Sequence, residues 1–473
     1  MSTNAQQITD KLWSYFQVLR HDGLSTGDAL EQITFLLFLK IAHERTLPPS
    51  REPSPVPEGY DWPSLLAREG DALETHYRHT LTELSKQSGL VGAIFRRALN
   101  KIRNPARLRR LMIEYFEREP WTDLDSGVPV EVYEGLLDKK SLTPRPLIEA
   151  LVDVIRPRPD ETICDPACNT GGFLVEAFEA VTERYPRMDR DEKRRLKLNC
   201  LRGYEIDESA ARLCAMNLFL HGIGPDLKTD ADPLVETRDS LLDHPGKNFD
   251  IVLTNPLFAR KPRIERKPLD RGDSWVPTTS QPLNFVQHVR SLLVAHGRAA
   301  VVVPDSVLFE GGAGETLRRR LLHECDVHTL LRLPTGIFHT PGVRANVLFF
   351  DRKPARETPW TEELWVYDLR TNLRFPKKTN PFKRSDLDEF VEAYNPDDRH
   401  IRQATWSEAN PTGRWRVFSY EELVQRERCN LDLVWLKDEG LEGDLPDDVL
   451  VSDIVEDLRA ALEQIELVQA EVG

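Results

Sequence analysis

The chain has 473 residues, 30% of them charged and 40% hydrophobic, and a net charge of −14. That length allows two or three domains with a sizeable core, but the acidity excludes holding a polyanion by overall charge; such a partner would need a local basic patch or a second protein. No uncharged apolar run reaches the roughly 18 residues of a membrane span, and six scattered cysteines without a C-x-x-C pair predict reduced thiols in a cytoplasm, with no zinc site and no disulfide framework.

The N-terminus, MSTNAQQITDKLW, has neither the basic nor the apolar region of a secretory leader. Residues 1–135 read as a helical domain. In ALEQITFLLFLKIAHER, 29–45, Leu30, Ile33, Leu37, Phe38 and Ile41 fall at helical spacing after a Ser25, Thr26, Asp28 start signal. The Pro-rich stretch 48–63 reads as a loop. The run 93–112 carries Arg96, Arg97, Lys101, Arg103, Arg107, Arg109 and Arg110. Two readings stand for it: a contact to phosphate or RNA, and a solvated helix face.

From 136 to 355 strands and helices alternate. ETIC (161–164), LRGYEID (201–207), FDIVLTNP (249–256) and RAAVVVP (298–304) read as strands, with helical segments such as FLVEAFEAVTERY and NFVQHVRSLLVAH between them. VHTLLRLP and ANVLFFD add two more. This alternation predicts an α/β fold, a mostly parallel, doubly wound, Rossmann-like sheet covered on both faces, which binds ligands beyond the carboxyl ends of its strands. Residues 356–473 read as a mixed, acidic C-terminal extension. It ends in an amphipathic segment, 449–470, suited to packing on its own domain or on a partner helix.

Two motifs fall at strand ends. ICDPACNTGGFL (163–174) places an acid, a tight Gly-rich turn and a helix in succession. It lacks the Gly-Lys-Ser/Thr of a triphosphate loop and the G-x-G-x-x-G of a dinucleotide loop. Gly171 and Gly172 let backbone approach a ligand closely, and Asp165 can pair with an ammonium. Glu205 ends the next strand, where an acid holds ribose hydroxyls. Ribose plus an amino-acid ammonium describes S-adenosyl-L-methionine. Asp239 stands where a third strand should end, either accepting from the cofactor's adenine amine or starting a surface turn.

The second motif is Asn255-Pro256-Leu257-Phe258. An exocyclic amine on adenine or cytosine is a poor nucleophile because its lone pair is delocalised into the ring. Two acceptors, Asn255 Oδ1 and the Pro256 carbonyl, can draw its protons out of the ring plane. Proline restricts the backbone and pushes Asn255 toward extended geometry. Phe258 would stack on the base, a contact worth roughly 1–3 kcal/mol, and the base would reach it by flipping out of a duplex.

With these residues the chain resembles the modification (M) subunits of type I restriction-modification systems, a family of adenine-N6 DNA methyltransferases. SLTPRPLIEALVDVI (141–155), GYEIDESAARLCAMNLFLHGI (203–223), 284–309, 331–350, FLLFLK near the start and CNLDLVWLKDE (429–439) near the end are similar to family segments, so the likeness covers nearly the whole chain. The resemblance implies a fold of an S-adenosylmethionine-dependent methyltransferase core between a helical N-terminal domain and a helical C-terminal tail. It implies cofactor contacts at Thr143, Asp165, Ala167, Thr170, Gly171, Gly172, Glu205 and Asp239, and target contacts at Asn255, Pro256 and Phe258, with no metal. Its implied partners are double-stranded DNA, a specificity (S) subunit, a second M subunit and a motor-nuclease (R) subunit for restriction.

Asn169 and Leu257 depart from the family's usual Gly and Pro. Asn tolerates left-handed backbone, and Leu257 removes none of the reacting groups. Two other readings remain open at this point: a methyltransferase of RNA bases or protein amides, and a catalytically silent subunit kept for assembly. The segment 260–272, RKPRIERKPLDRG, reads as either a phosphate-contacting loop or a plain insertion.

Overall fold

This computed structural model describes residues 3–437 except 120, 123–126, 138–142, 228, 257–270, 339–342, 374 and 376–379. Its strands, in chain order, are β1 (Ile163–Asp165), β2 (Leu201–Glu205), β3 (Val235–Thr237), β4 (Phe249–Thr254), β5 (Leu293–Pro304), β6 (Cys325–Arg332), β7 (Ala345–Arg352), β8 (Glu363–Asp368) and β9 (Trp415–Ser419). The chain divides into two compact units, each built from separate stretches of sequence: Met1–Ser141 with Cys168–Asp239, and Leu142–Ala167 with Ser240–Gly473.

The first unit is mainly helical. Its central helix, Thr26–Glu44, starts where the Ser25 signal places it: Asp28 N–H donates to Ser25 Oγ (3.1 Å) and Ser25 N–H to Asp28 Oδ2 (3.4 Å). This reciprocal cap satisfies two donors that a helix start otherwise leaves orphaned. Every residue from Ala29 to Ala42 is buried, so this helix is enclosed on all sides rather than lying amphipathic on a surface. The later helix Glu208–Leu220 contributes Leu213, Ala215, Met216 and Phe219 to the same core. Two buried charges fasten it there: Arg212 pairs with Glu31, and its Nε donates to the Arg96 carbonyl at 3.0 Å. Strands β2 and β3 pair in parallel, with Glu205 beside Thr237.

The basic run 93–112 is not one helix. It contains the end of Gly89–Phe95, a connector in which Arg97 has φ 50°, and the helix Pro105–Leu111, capped by the Asn104 side chain. Most of its charges meet acids of the same unit: Arg97 with Glu208 (2.6 Å), Arg107 with Asp22 (2.7 Å), Arg109 with Glu69 (2.9 Å), Arg110 with Glu114 (2.8 Å), and Lys101 with Asp28 and Glu31. These cations have acidic partners within the unit, while the Arg97 and Arg110 side chains stay exposed.

In the second unit the strand order is β1-β4-β5-β7-β6-β8-β9. β1, β4 and β5 run parallel, as the strand–helix–strand alternation predicts, with the helix Gln281–Leu292 leading into β5. β7 lies antiparallel between β5 and β6. β8 and β9 extend this sheet from the stretch that reads in sequence as a mixed extension. All six cysteines are buried thiols in no disulfide. Among the described residues no helix is long and apolar enough to cross a membrane.

Candidate active site

In the second unit, the neighbouring strands β1 and β4 place Asp165 of the first motif beside the strand end that carries Asn255 of the second. Asp165, 2% exposed, closes β1 and accepts from the N–H of Ala167 at 3.0 Å. It also accepts from the hydroxyl of Thr254, the last residue of β4, at 2.7 Å. A buried carboxylate needs such donors to offset its lost hydration. One residue beyond, Asn255 Nδ2 donates to Thr143 Oγ1 at 2.8 Å, and Pro256 is buried. Thr143, 9% exposed, precedes Pro144, the cap of the buried-faced helix Arg145–Ile155. Ser240 fixes the same turn by donating to the Pro166 carbonyl at 2.8 Å.

Beyond the next strand, β5, a further network surrounds Asp305. Arg370 grips its two oxygens at 2.9 Å each, and Asn346 Nδ2 donates to it at 2.8 Å. Burial works to raise the Asp305 pKa, but the Arg370 guanidinium outweighs it and holds the carboxyl below its ordinary value.

The first unit carries the rest of the Gly-rich turn. Asn169 has φ 46° and Gly171 φ 86°, both left-handed. Cys168 N–H donates to the Tyr204 carbonyl at 3.0 Å, which anchors the turn to β2. Glu205, at the end of β2, accepts from Asn169 N–H and Asp207 N–H, each at 2.9 Å. A Cβ on Gly171 would stand 2.6 Å from Cys214 Sγ, closer than any side chain permits. Asn217, on the helix below, donates to the Thr170 carbonyl at 3.0 Å while its own Oδ1 is buried without a partner among the described residues. Gly172 then opens the helix Gly172–Arg184.

The structure thus joins Thr143, Asp165, Ala167, Asn255 and Pro256 in one unit, and Thr170, Gly171, Gly172 and Glu205 in the other. Asp239 is half-buried two residues after β3. Phe258 and Leu257, all but Arg271 and Gly272 of the basic segment 260–272, and the terminal segment 449–470 lie outside the described residues. Sequence reasoning missed Thr254 and Asn217. A hydroxyl at the last position of the strand before Asn-Pro is a signal for the first; no local signal marks the second. The second unit also has two cavities of about 590 Å³, one lined by Asn248, Arg290 and Arg352 and the other by Tyr367, Arg402 and Arg414; Asp165, Thr254 and Asn255 line neither.

A doubly wound α/β sheet binds its ligands beyond the carboxyl ends of its strands, where Asp165 and Asn255 stand. Residues 132–412 match the N-6 DNA Methylase family. The StySJI methylase subunit of Salmonella typhimurium, a type I restriction enzyme component, is 34% identical over 99% of this chain and 96% of its own length. The EcoKI methylase subunit of Escherichia coli matches at 34% with the same coverage, and its crystal structure aligns with a TM-score of 0.57 over 99% of this chain and 96% of the other. A chain in a solved type I restriction-modification system shares the fold at 24% identity, with a TM-score of 0.72 over 98% of both chains.

The chain belongs to the N-6 DNA methylase family and, within it, to the methylase subunits of type I restriction enzymes. It is accordingly an adenine-N6 DNA methyltransferase of the modification-subunit type.

Proposed function

We propose that this chain moves a methyl group from S-adenosyl-L-methionine to N6 of an adenine flipped out of double-stranded DNA, as the modification subunit of a type I complex. S-adenosyl-L-methionine supplies, when bound, an electrophilic methyl on a sulfonium, so the protein need provide neither metal nor acid. The residues present suit that ligand. The loop 165–172 has a carboxylate and no Lys or Arg, and Glu205 ends β2 beside that loop, where an acid suits ribose hydroxyls. In this reading Asp165, Ala167, Thr170, Gly171 and Gly172 hold the methionine side, Glu205 the ribose and Asp239 the adenine ring of the cofactor; Thr143, which the resemblance places with the methionine side, stands against Asn255. Asn255 Oδ1 and the Pro256 carbonyl accept hydrogen bonds from the target amine's N–H groups, and Phe258 stacks on its base.

The observation that carries this reading is the Thr254–Asp165 hydrogen bond, which ties the end of the strand bearing Asn255 to the acid of the Gly-rich turn. The same reading gives the chain a specificity subunit, a second modification subunit and, for restriction, a motor-nuclease subunit as partners, in a cytoplasmic setting. It also keeps 1–135, 136–355 and 356–473 as segments of helical support, catalysis and partner binding. An acidic chain whose 93–112 cations are mostly paired internally fits delegation of DNA reading to another subunit.

The test is methyl incorporation into DNA by the assembled complex. Asn255→Ala should lower kcat by on the order of 10²–10³-fold, as removal of one oriented polar group does, with cofactor affinity by calorimetry nearly unchanged. Undiminished adenine methylation in that variant would refute the assignment.

A further inference from the structure

We infer that Thr143 is a positioning residue that sets which end of the Asn255 amide faces the target amine. This rests on the reading of Asn255 as the amine's acceptor. An asparagine amide has an acceptor end and a donor end of nearly equal size, and a half-turn about its last side-chain bond exchanges them. Only Oδ1 can accept a hydrogen bond from the exocyclic amine; Nδ2 in its place would oppose one N–H with another. In this chain Nδ2 is committed to Thr143 Oγ1 at 2.8 Å. Among the described residues no donor meets Asn255 Oδ1, which leaves that oxygen for the substrate.

The anchor is rigid. Thr143 is 9% exposed and stands before Pro144, which restricts its backbone to extended geometry. The helix that follows, Arg145–Ile155, buries Leu147, Ile148, Ala150, Leu151, Val152, Val154 and Ile155. The neighbouring residue of the turn, Thr254, is fully buried and spends its hydroxyl on Asp165. Asn255 is thus held by its backbone at the end of β4 and by one side-chain hydrogen bond, and the second of these sets its amide orientation. This role differs from the methionine-side contact that family resemblance gives Thr143, and the two make opposite kinetic predictions.

The experiment compares Thr143→Val, Thr143→Ser and Asn255→Ala in the full chain, assembled as the active complex. Loss of one net hydrogen bond removes about tenfold of orientational preference. Thr143→Val should therefore lower kcat about tenfold with the dissociation constant for S-adenosyl-L-methionine within twofold of the parent, and Thr143→Ser should restore kcat. Unchanged kcat in Thr143→Val overturns the inference, as does weakened cofactor binding at unchanged kcat, which would make Thr143 a cofactor contact. Should the valine variant melt early, Thr143→Ala is read the same way, and full turnover in it also overturns the inference. Failure of the underlying site reading is separate: there Asn255→Ala itself keeps its activity.

Discussion

The Gly-rich turn of the first unit and the Asn-Pro turn of the second are both candidate-site loops at strand ends, yet they are held in different ways. The first is fixed by backbone conformation and close contact: left-handed φ at Asn169 and Gly171, peptide N–H groups on Glu205, and no room for a Cβ beside Cys214. The second is fixed by side-chain chemistry: the hydroxyls of Thr254 and Thr143 on Asp165 and Asn255. One loop should therefore tolerate changes of polarity and fail on bulk. The other should tolerate bulk-neutral changes only while the hydrogen-bonding groups survive.

The hardest test of that contrast is Gly171→Val. A β-branched residue at φ 86° costs about 1–3 kcal/mol of backbone strain, and its Cβ must displace Cys214 Sγ from 2.6 Å. We expect the dissociation constant for S-adenosyl-L-methionine to rise at least tenfold and the melting temperature to fall. Adding Cys214→Ala should recover part of the loss, because it relieves the contact and leaves the strained φ. Complete recovery would show that backbone geometry contributes little to holding this turn.

Thr254→Val keeps the volume and removes the hydroxyl. Asp165 keeps the Ala167 N–H but loses a charge-assisted donor in a fully enclosed position. A cost of roughly 1.5–3 kcal/mol in urea unfolding is expected for such a bond, together with weaker cofactor binding. A variant as stable as the parent, with unchanged affinity, would mean that the second loop is not held by its side chains.

A smaller effect separates the loops by pH. His221 ends the helix Glu208–Leu220 that supports the Gly-rich turn, with Glu134 and Glu179 at 3.3 and 3.5 Å from its Nε2. Burial opposes its charge, but the facing Glu134 and Glu179 carboxylates and the Asn217 carbonyl outweigh it and raise the pKa above its ordinary value. A raised folded-state pKa contributes stability that is full below the unfolded value and disappears as pH rises through the folded one. Stability measured upward from pH 6.5 should therefore decline, and His221→Gln should flatten that decline. A parallel slope in both proteins would dismiss the clamp.

Much of the fold was readable because its elements have local causes. The Ser25–Asp28 box starts a helix wherever it stands, and ETIC, FDIVLTNP and RAAVVVP are apolar runs that only a buried sheet accommodates. The acids at strand ends and the Gly pair were readable for the same reason. What escaped depends on distant partners. β9 forms the sheet edge and β8 lies just inside it, and both mix Trp with charged residues, so their sequence lacks a continuous apolar run. Thr254 and Asn217 matter through contacts 89 and 47 residues away, which no window of sequence contains. The Arg-rich run 93–112 left two readings because its acids, from Asp22 to Glu208, are scattered through the unit.

Asn169 gives the mildest test and the most discriminating one. It occupies a position where the family resemblance leads one to expect Gly, and its φ of 46° is the conformation that Asn, among residues with a side chain, adopts most readily. The group that matters there is its backbone N–H, donated to Glu205 at 2.9 Å. Gly supplies the same N–H and the same φ, so Asn169→Gly should leave cofactor affinity within about twofold and stability within roughly 0.5 kcal/mol, the usual range for a substitution that removes no packed group. Asn169→Val presents the same N–H on a backbone that resists left-handed geometry, and should weaken binding clearly. If Gly proved as damaging as Val, the Asn169 side chain would itself be engaged, and the first loop would depend on side-chain chemistry as the second does.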